Sequence, residues 1–182
     1  MLRSIYVSFL MVLTTSVFAQ DKYWQQHVSY KIDVKLDDKA NAISGKEEVV
    51  YTNNSPETLD YIWFHIWPNA YKNDSTALFQ QLMNDSTSEE DLSNITRGYI
   101  DGLNFKVDGK TAKTEPHSNP NYIDIIKVLL PKALKPGTSA TISTDFNVKL
   151  PSYFSRSGFA VGQFMATQWY PKPAVYDKSG WQ

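Results

Sequence analysis

The side chains able to do chemistry in this sequence are few and scattered. Three histidines, His27, His65 and His117, stand far apart, and none has a second histidine three or four residues away to make a metal-ligand pair on a helix. Cysteine is absent, which removes thiolate zinc sites, thiol nucleophiles, disulfides and a lipidated N-terminal cysteine. There is no Gly-x-Ser-x-Gly elbow and no glycine-rich phosphate loop followed by Lys and Ser/Thr. Carboxylates are plentiful, but Glu47-Glu48 and Glu89-Glu90-Asp91 read as solvated faces, and paired acids for glycoside chemistry are not recognisable from spacing. His65 lies in an aromatic stretch, where a hydrogen-bonded structural histidine is expected, and His117 sits in the loop EPHSNP with no assigned role. These motifs do not add up to a complete catalytic set.

One polar side chain stands out by its surroundings. The chain closes on ATQWYPKPAVYDKSGWQ, from Ala166 to Gln182, with two tryptophans, two tyrosines and two prolines. Gln168 falls just where a small-residue strand, FAVGQFMATQW, turns aromatic, and Pro171 and Pro173 then impose a stiff, extended backbone. A glutamine so placed can offer its carbonyl to an ammonium group and its amide to a carbonyl. The plainer reading is that Gln168 bonds backbone at the end of a strand.

The elements that must position it are mostly strands. Val28, Tyr30, Ile32, Val34 and Leu36 alternate with polar residues, Asp37-Asp38 turns the chain, and Ile43 to Thr52 returns, which predicts a hairpin. Leu59 to Trp67 predicts a strand buried on both faces and ended by Pro68-Asn69, and Thr76 to Asn84 a short helix before the exposed loop DSTSEEDLSN. Tyr99 to Val107 predicts a strand leading into the hairpin turn Asp108-Gly109, and Tyr122 to Leu130 another strand, closed by Pro131. After the Pro136-Gly137 turn, Ala140, Ile142, Thr144, Phe146 and Val148 share one face of a strand running from Ser139 to Leu150. Together these predict a mainly β fold, an antiparallel saddle-like sandwich with one short helix.

A length of 182 residues suits one domain with a real core, and the formal charge of -1 lacks the basic footprint that nucleic acids require. Residues 1–19 read as a secretory signal: Arg3 gives a positive start, Ile5 to Val17 is a short apolar run, and Val17-Phe18-Ala19 suits a signal peptidase. The run is shorter than the roughly 20 residues a bilayer-spanning helix needs. The expectation is therefore a signal peptide over 1–19 and one β domain over 20–182, exported, periplasmic or secreted, with no membrane attachment after cleavage.

Three stretches carry a resemblance. The order YKIDVKLDD…ISGKEEVVYTNNSPETLDYIWFHIWPNAY, then LPKALKPGTSATISTDFNVKLP, then ATQWYPKPAVYDKSGW resembles the N-terminal β domain of M1-family zinc aminopeptidases of an exported bacterial branch. The resemblance covers nearly everything after the signal, and its last motif is the most specific. It implies a β domain packed on a thermolysin-like catalytic domain absent from this chain, in which a zinc-activated water attacks the first peptide bond. It further implies that Gln168 receives the substrate's free α-amino group or first residue and that Tyr170 lines the pocket for the first side chain. The zinc would belong to the parent enzyme and none to this chain, which stops before the Gly-x-Met-Glu-Asn and His-Glu-x-x-His motifs. Ala174 is followed by Val175 where many members carry Ala-Arg, so no arginine transfers. Trp169, Tyr170, Tyr176 and Trp181 are expected in core or interface packing near the seam with the catalytic domain. A reading from another class is a free-standing secreted β-sandwich binding module, or a non-catalytic scaffold.

Overall fold

The computed structural model describes residues 23–85, 94–152 and 156–182. The expected signal and most of the loop after the helix lie outside them. In chain order the elements are β1 His27–Asp37, β2 Ala42–Thr52, β3 Leu59–His65, a 3₁₀ turn Trp67–Tyr71, α1 Ala77–Asn84 and β4 Tyr99–Asp101. There follow β5 Lys106–Val107, β6 Lys110–Thr111, β7 Thr114–Pro116, β8 Ile125–Leu134 and β9 Ser139–Lys149. The C-terminal part holds β10 Gly158–Ala160, β11 Gln163–Met165, β12 Lys172–Pro173, β13 Tyr176–Asp177 and β14 Gly180–Trp181.

Two antiparallel sheets result. One runs β1-β2-β9-β5-β6 with β4 beside β9, and the other runs β12-β3-β8-β7. They face each other across a core in which Val49, Tyr51, Val107, Ala140 and Ile142 of the first sheet meet Leu59, Ile62, Phe64, Val128 and Leu134 of the second. Beyond that core the first sheet continues, and its far end forms a second cluster in which Ile43, Phe146 and Val148 pack with Ile66, Ile100 and Leu150. That cluster is covered at its rim by Phe159, Phe164, Ala166, Trp169 and Tyr170. The C-terminal segment is thus a piece of the core wall, and the mainly β sandwich expected from the alternating strands is what forms.

Local chemistry explains where the expected elements shift. β3 stops at His65 because Pro68, at the start of the 3₁₀ turn, has no N–H to continue a ladder. Its inward residues Ile62 and Phe64 are fully buried while Tyr61, Trp63 and His65 on the other face are half-buried, so the expectation of burial on both faces fails. The span from Tyr99 to Val107 breaks at Gly102, whose φ of 70° leaves the β region, giving two short strands in place of one. β8 begins at Ile125, later than expected, and runs through Pro131 to Leu134. Between the pairs Leu59/Leu134 and Tyr61/Leu129 the register slips, and Pro131 lies within that bulge, where a missing N–H breaks no regular ladder bond. α1 matches its reading closely: the Thr76 hydroxyl caps it by accepting from the Phe79 N–H at 3.3 Å.

Candidate functional site

The segment carrying Gln168 is built from the ground by two hydroxyls. Ser157 Oγ donates to the Thr167 carbonyl at 2.8 Å and accepts from the Thr167 N–H at 3.2 Å, while Thr167 Oγ1 donates to the Arg156 carbonyl at 2.6 Å. These bonds close the base of the β10–β11 hairpin, whose tip is Val161-Gly162, both at positive φ. The expected single small-residue strand from Phe159 is therefore a hairpin, because Gly162 at its middle adopts the positive φ of a tight turn and carries Val161 into it.

Gln168 follows this anchored base with φ of 54°, a left-handed conformation that non-glycine residues seldom adopt. The kink sends Trp169 back onto Phe146, ring centroids 5.9 Å apart, and Tyr170 onto Tyr30 at 5.6 Å with the planes at 76°. It leaves the Gln168 side chain exposed. No hydrogen bond joins that side chain to any described residue, so the reading of Gln168 as a backbone-bonding strand-end residue does not hold. Downstream, Pro171 is buried, Lys172 and Pro173 pair with His65 and Phe64 of β3, and the Ala174 N–H donates to the Trp63 carbonyl at 2.8 Å. The four residues between Thr167 and Lys172 thus hang between two fixed points. Gln168 and Tyr170 lie two positions apart in this span, one side chain exposed and the other half-buried.

The remaining aromatic residues of the tail pack inward or against one another. Tyr176 stacks at 4.7 Å from Trp181 and 5.5 Å from Trp24, and Trp181 lies 6.0 Å from Tyr61. Tyr176 and Trp181 both pack against the first core cluster. The Tyr176 hydroxyl donates to the Glu57 carboxylate, and that bond, more than desolvation, pushes its pKa up to about 12.

Glu47 is the residue the sequence misplaces. Glu48 is exposed, but Glu47 is only 3% exposed and neither of its carboxylate oxygens has a hydrogen-bond partner. Adjacent residues of a strand point to opposite faces, so two consecutive acids in a half-buried strand cannot both be wet. The signal was present: Ile43, Val49 and Tyr51 fix the odd-numbered face of β2 as the core face. Burial alone pushes the Glu47 pKa up to about 8.

His65 and His117 pack among aromatic rings, but the hydrogen bond expected for His65 is not made at its Nδ1, which is buried with no partner among the described residues. His65 stacks on Trp67 at 4.6 Å, 12° from parallel, and burial holds its imidazole below the usual range, opposed by the nearby Asp124. The carboxyl of Asp124 is in turn raised, mainly by burial. His117 Nδ1 accepts from the Asn119 N–H at 3.0 Å, and its ring touches Trp63 and Tyr122. Among the described residues no three His, Asp or Glu side chains come together in a group able to hold a metal ion. No helix among them is long and apolar enough to cross a membrane.

No protein-family model matches the sequence, and no curated protein matches it. Among solved structures, an M1 zinc metallopeptidase from Deinococcus radiodurans is similar with a TM-score of 0.43 and 12% identity, over 78% of this chain and 25% of that one. A two-domain M1 zinc metallopeptidase variant bound to L-arginine gives a TM-score of 0.43 and 12% identity over 78% and 25% of the two chains. The chain therefore spans about a quarter of the length of these solved neighbours, which are M1 zinc metallopeptidases.

Proposed function

We propose that this chain is the substrate-side β domain of an exported M1-type zinc metalloaminopeptidase, a domain that caps the cleft and receives the peptide's free N-terminus. The observation that carries the reading is Gln168: within the most specific resembling motif, ATQWYPKP, it is exposed, has no hydrogen bond to a described residue, and stands on a backbone pinned on both sides. Its Oε1 accepts from the substrate's α-ammonium and its Nε2 donates to the first carbonyl, two bonds that a preset backbone makes without ordering a loop. Tyr170, half-buried against Tyr30, offers a ring to the first side chain. The zinc belongs to the catalytic domain, where it activates the attacking water. Export follows from the signal-like segment over residues 1–19.

The test uses the chain joined to its catalytic domain. Gln168→Ala should lower kcat/KM on peptides with a free N-terminus by about tenfold, corresponding to the loss of one charge-assisted hydrogen bond. A rate constant equal to that of the unaltered enzyme removes Gln168 from the site.

A second reading, a free-standing secreted binding module, is favoured by one feature. The outer face of β3 aligns Tyr61 and Trp63, with Lys127 Nζ 5.0 and 5.1 Å from their ring centroids. Saturable binding of a glycan or peptide by the chain alone, abolished by Trp63→Ala, would favour it over the peptidase reading.

A further inference from the structure

The first sheet ends on one side at β1, and among the described residues no strand pairs with the outer edge of β1. β1 is 11 residues long, about twice an ordinary strand, and pairs with β2 residue for residue from His27 to Asp37. Proline, a bulge or a short length commonly guards such an edge, and β1 has none of these. The direction of its backbone follows from Gly45. A Cβ there would lie 2.7 Å from the Asp33 carbonyl oxygen, so that carbonyl points toward β2. By the alternation of an antiparallel ladder, Val28, Tyr30, Ile32, Val34 and Leu36 turn their N–H and C=O groups outward.

The side chains of those five residues lie on the inner face of the sheet, where Tyr30, Val34 and Leu36 remain exposed. On the outer face Lys31, Asp33, Lys35 and Asp37 are exposed and alternate in sign. Among the described residues neither Lys31 nor Asp33 joins an ion pair, the pairs being Arg97 with Asp74 and Lys127 with Glu115. This pattern is complementary to itself. A second β1 laid antiparallel about Ile32 pairs all 11 residues. Ile32 then meets Ile32, Tyr30 meets Val34 and Val28 meets Leu36 on the inner face. On the outer face Lys31 meets Asp33 on both sides of the centre, and Ser29 meets Lys35. His27 falls opposite Asp37, whose carboxylate already accepts from the Lys39 and Ala40 N–H groups. A slip of one residue sets apolar side chains against charged ones. A slip of two sets Asp33 against Asp33 and Lys31 against Lys35. A slip of four restores opposite signs but leaves His27 to Tyr30 without a partner in the strand.

We propose that β1 is a self-recognition edge, through which two copies of this chain join their first sheets by antiparallel β1 strands centred on Ile32. The outward backbone groups find partners, Tyr30, Val34 and Leu36 are covered, and opposite charges stand opposite each other. The contact is the same patch on both copies, so it closes at two. It uses no residue of the segment that bears Gln168, and it stands whether or not that side chain reads a peptide.

The experiment is sedimentation of the chain over a range of concentrations, where a monomer–dimer equilibrium is expected. Lys31→Asp and Asp33→Lys each place like charges opposite one another in the pair, and each should raise the dimer Kd at least about tenfold. Mixed together, the two variants set Asp against Lys at both positions and should regain the dimer, while thermal melts confirm that each is folded. A second measurement leaves these charges in place. The chain has no cysteine, so oxidation of Ser29→Cys mixed with Lys35→Cys should link two copies. Neither cysteine variant alone should link, because identical positions lie far apart in this register. A monomer at every concentration, whatever else covers the edge, overturns the proposal. So does a mixture of the charge variants that stays monomeric, or cross-linking of Ser29→Cys alone as fast as in the mixture.

Discussion

Glu47 makes the stability of the domain depend on pH in a direction opposite to that of an ordinary salt-bridged acid. Its folded-state pKa, about 8, lies above that of an exposed carboxylate, so between the two values the folded chain holds a proton that the unfolded chain has lost. The stabilisation is fully present below the unfolded pKa and disappears as pH rises through about 8. Over this window Glu47 should contribute a fall of up to about 1.4 kcal/mol per pH unit. Urea unfolding of the domain at pH 5, 6.5 and 8 should show this decline, and Glu47→Gln, which carries no titrating proton, should show a shallower one. Equal slopes for the two chains would mean that Glu47 is solvated or paired when folded. The residue scale also shows where sequence reading stops. Alternation identified Ala140, Ile142, Thr144, Phe146 and Val148 as one face, and all five are buried. It missed Glu47 because two adjacent charges suggest water, although the pleat permits only one of them to reach it. The exposure of Gln168 depends on a left-handed φ that no glycine announces, so nothing local in the sequence signals it. The choice of that residue came from the resemblance of its motif.

Elements are held in register by close approaches that leave no room for substitution. A Cβ on Gly45 would lie 2.7 Å from the Asp33 carbonyl oxygen and 2.8 Å from Phe146 Cζ. Gly45→Ala should therefore destabilise the domain by about 1–3 kcal/mol through overpacking between β1 and β9. Chemical denaturation measures it, and a neutral result would mean that Phe146 moves freely. The β10–β11 hairpin depends on Ser157, which is buried and bonds both the N–H and the carbonyl of Thr167. Ser157→Ala should leave those groups unpaired and speed amide exchange around residues 166–170, with little change in the sheets. The long strands β1, β2, β3, β8 and β9 were legible from apolar patterning and turn residues, whereas the short β7 and β12 that complete the second sheet were not. The passage of β8 beyond Pro131 was not, because whether a proline ends a strand depends on its partner, and here a bulge in the pairing with β3 receives it.

At the scale of the whole molecule the apolar surface is unevenly covered. Tyr30, Val34 and Leu36 share the inner face of β1 yet are 37%, 53% and 46% exposed, since the second sheet does not reach that far. β1 is also an edge of its sheet, with its outer backbone groups unpaired within the sheet. The chain alone should self-associate at high concentration, and Val34→Lys with Leu36→Glu should reduce this. Light scattering that finds a clean monomer without those changes would count against it. The aromatic tail contributes less to this surface than its composition suggested, since Trp169, Tyr170, Tyr176 and Trp181 are each half-buried on the domain's own core. That the rings pack was legible; that they pack on this domain required the fold.

The pairing of β12 with β3 has a temporal consequence. β3 is complete once residue 65 has been made, but the strand that covers its open edge lies at residues 172–173, more than a hundred positions later. During synthesis β3 can pair with β8 on one side while the other side stays bare until residues 172–173 leave the ribosome. Lys172 and Pro173 then close the sheet late, and Pro173, lacking an N–H, ends further lateral growth at that border. The same short segment that fixes Gln168 in place also acts as the stopper of the nascent sheet, so premature termination anywhere before it would release a chain with an unguarded, aromatic-rich edge.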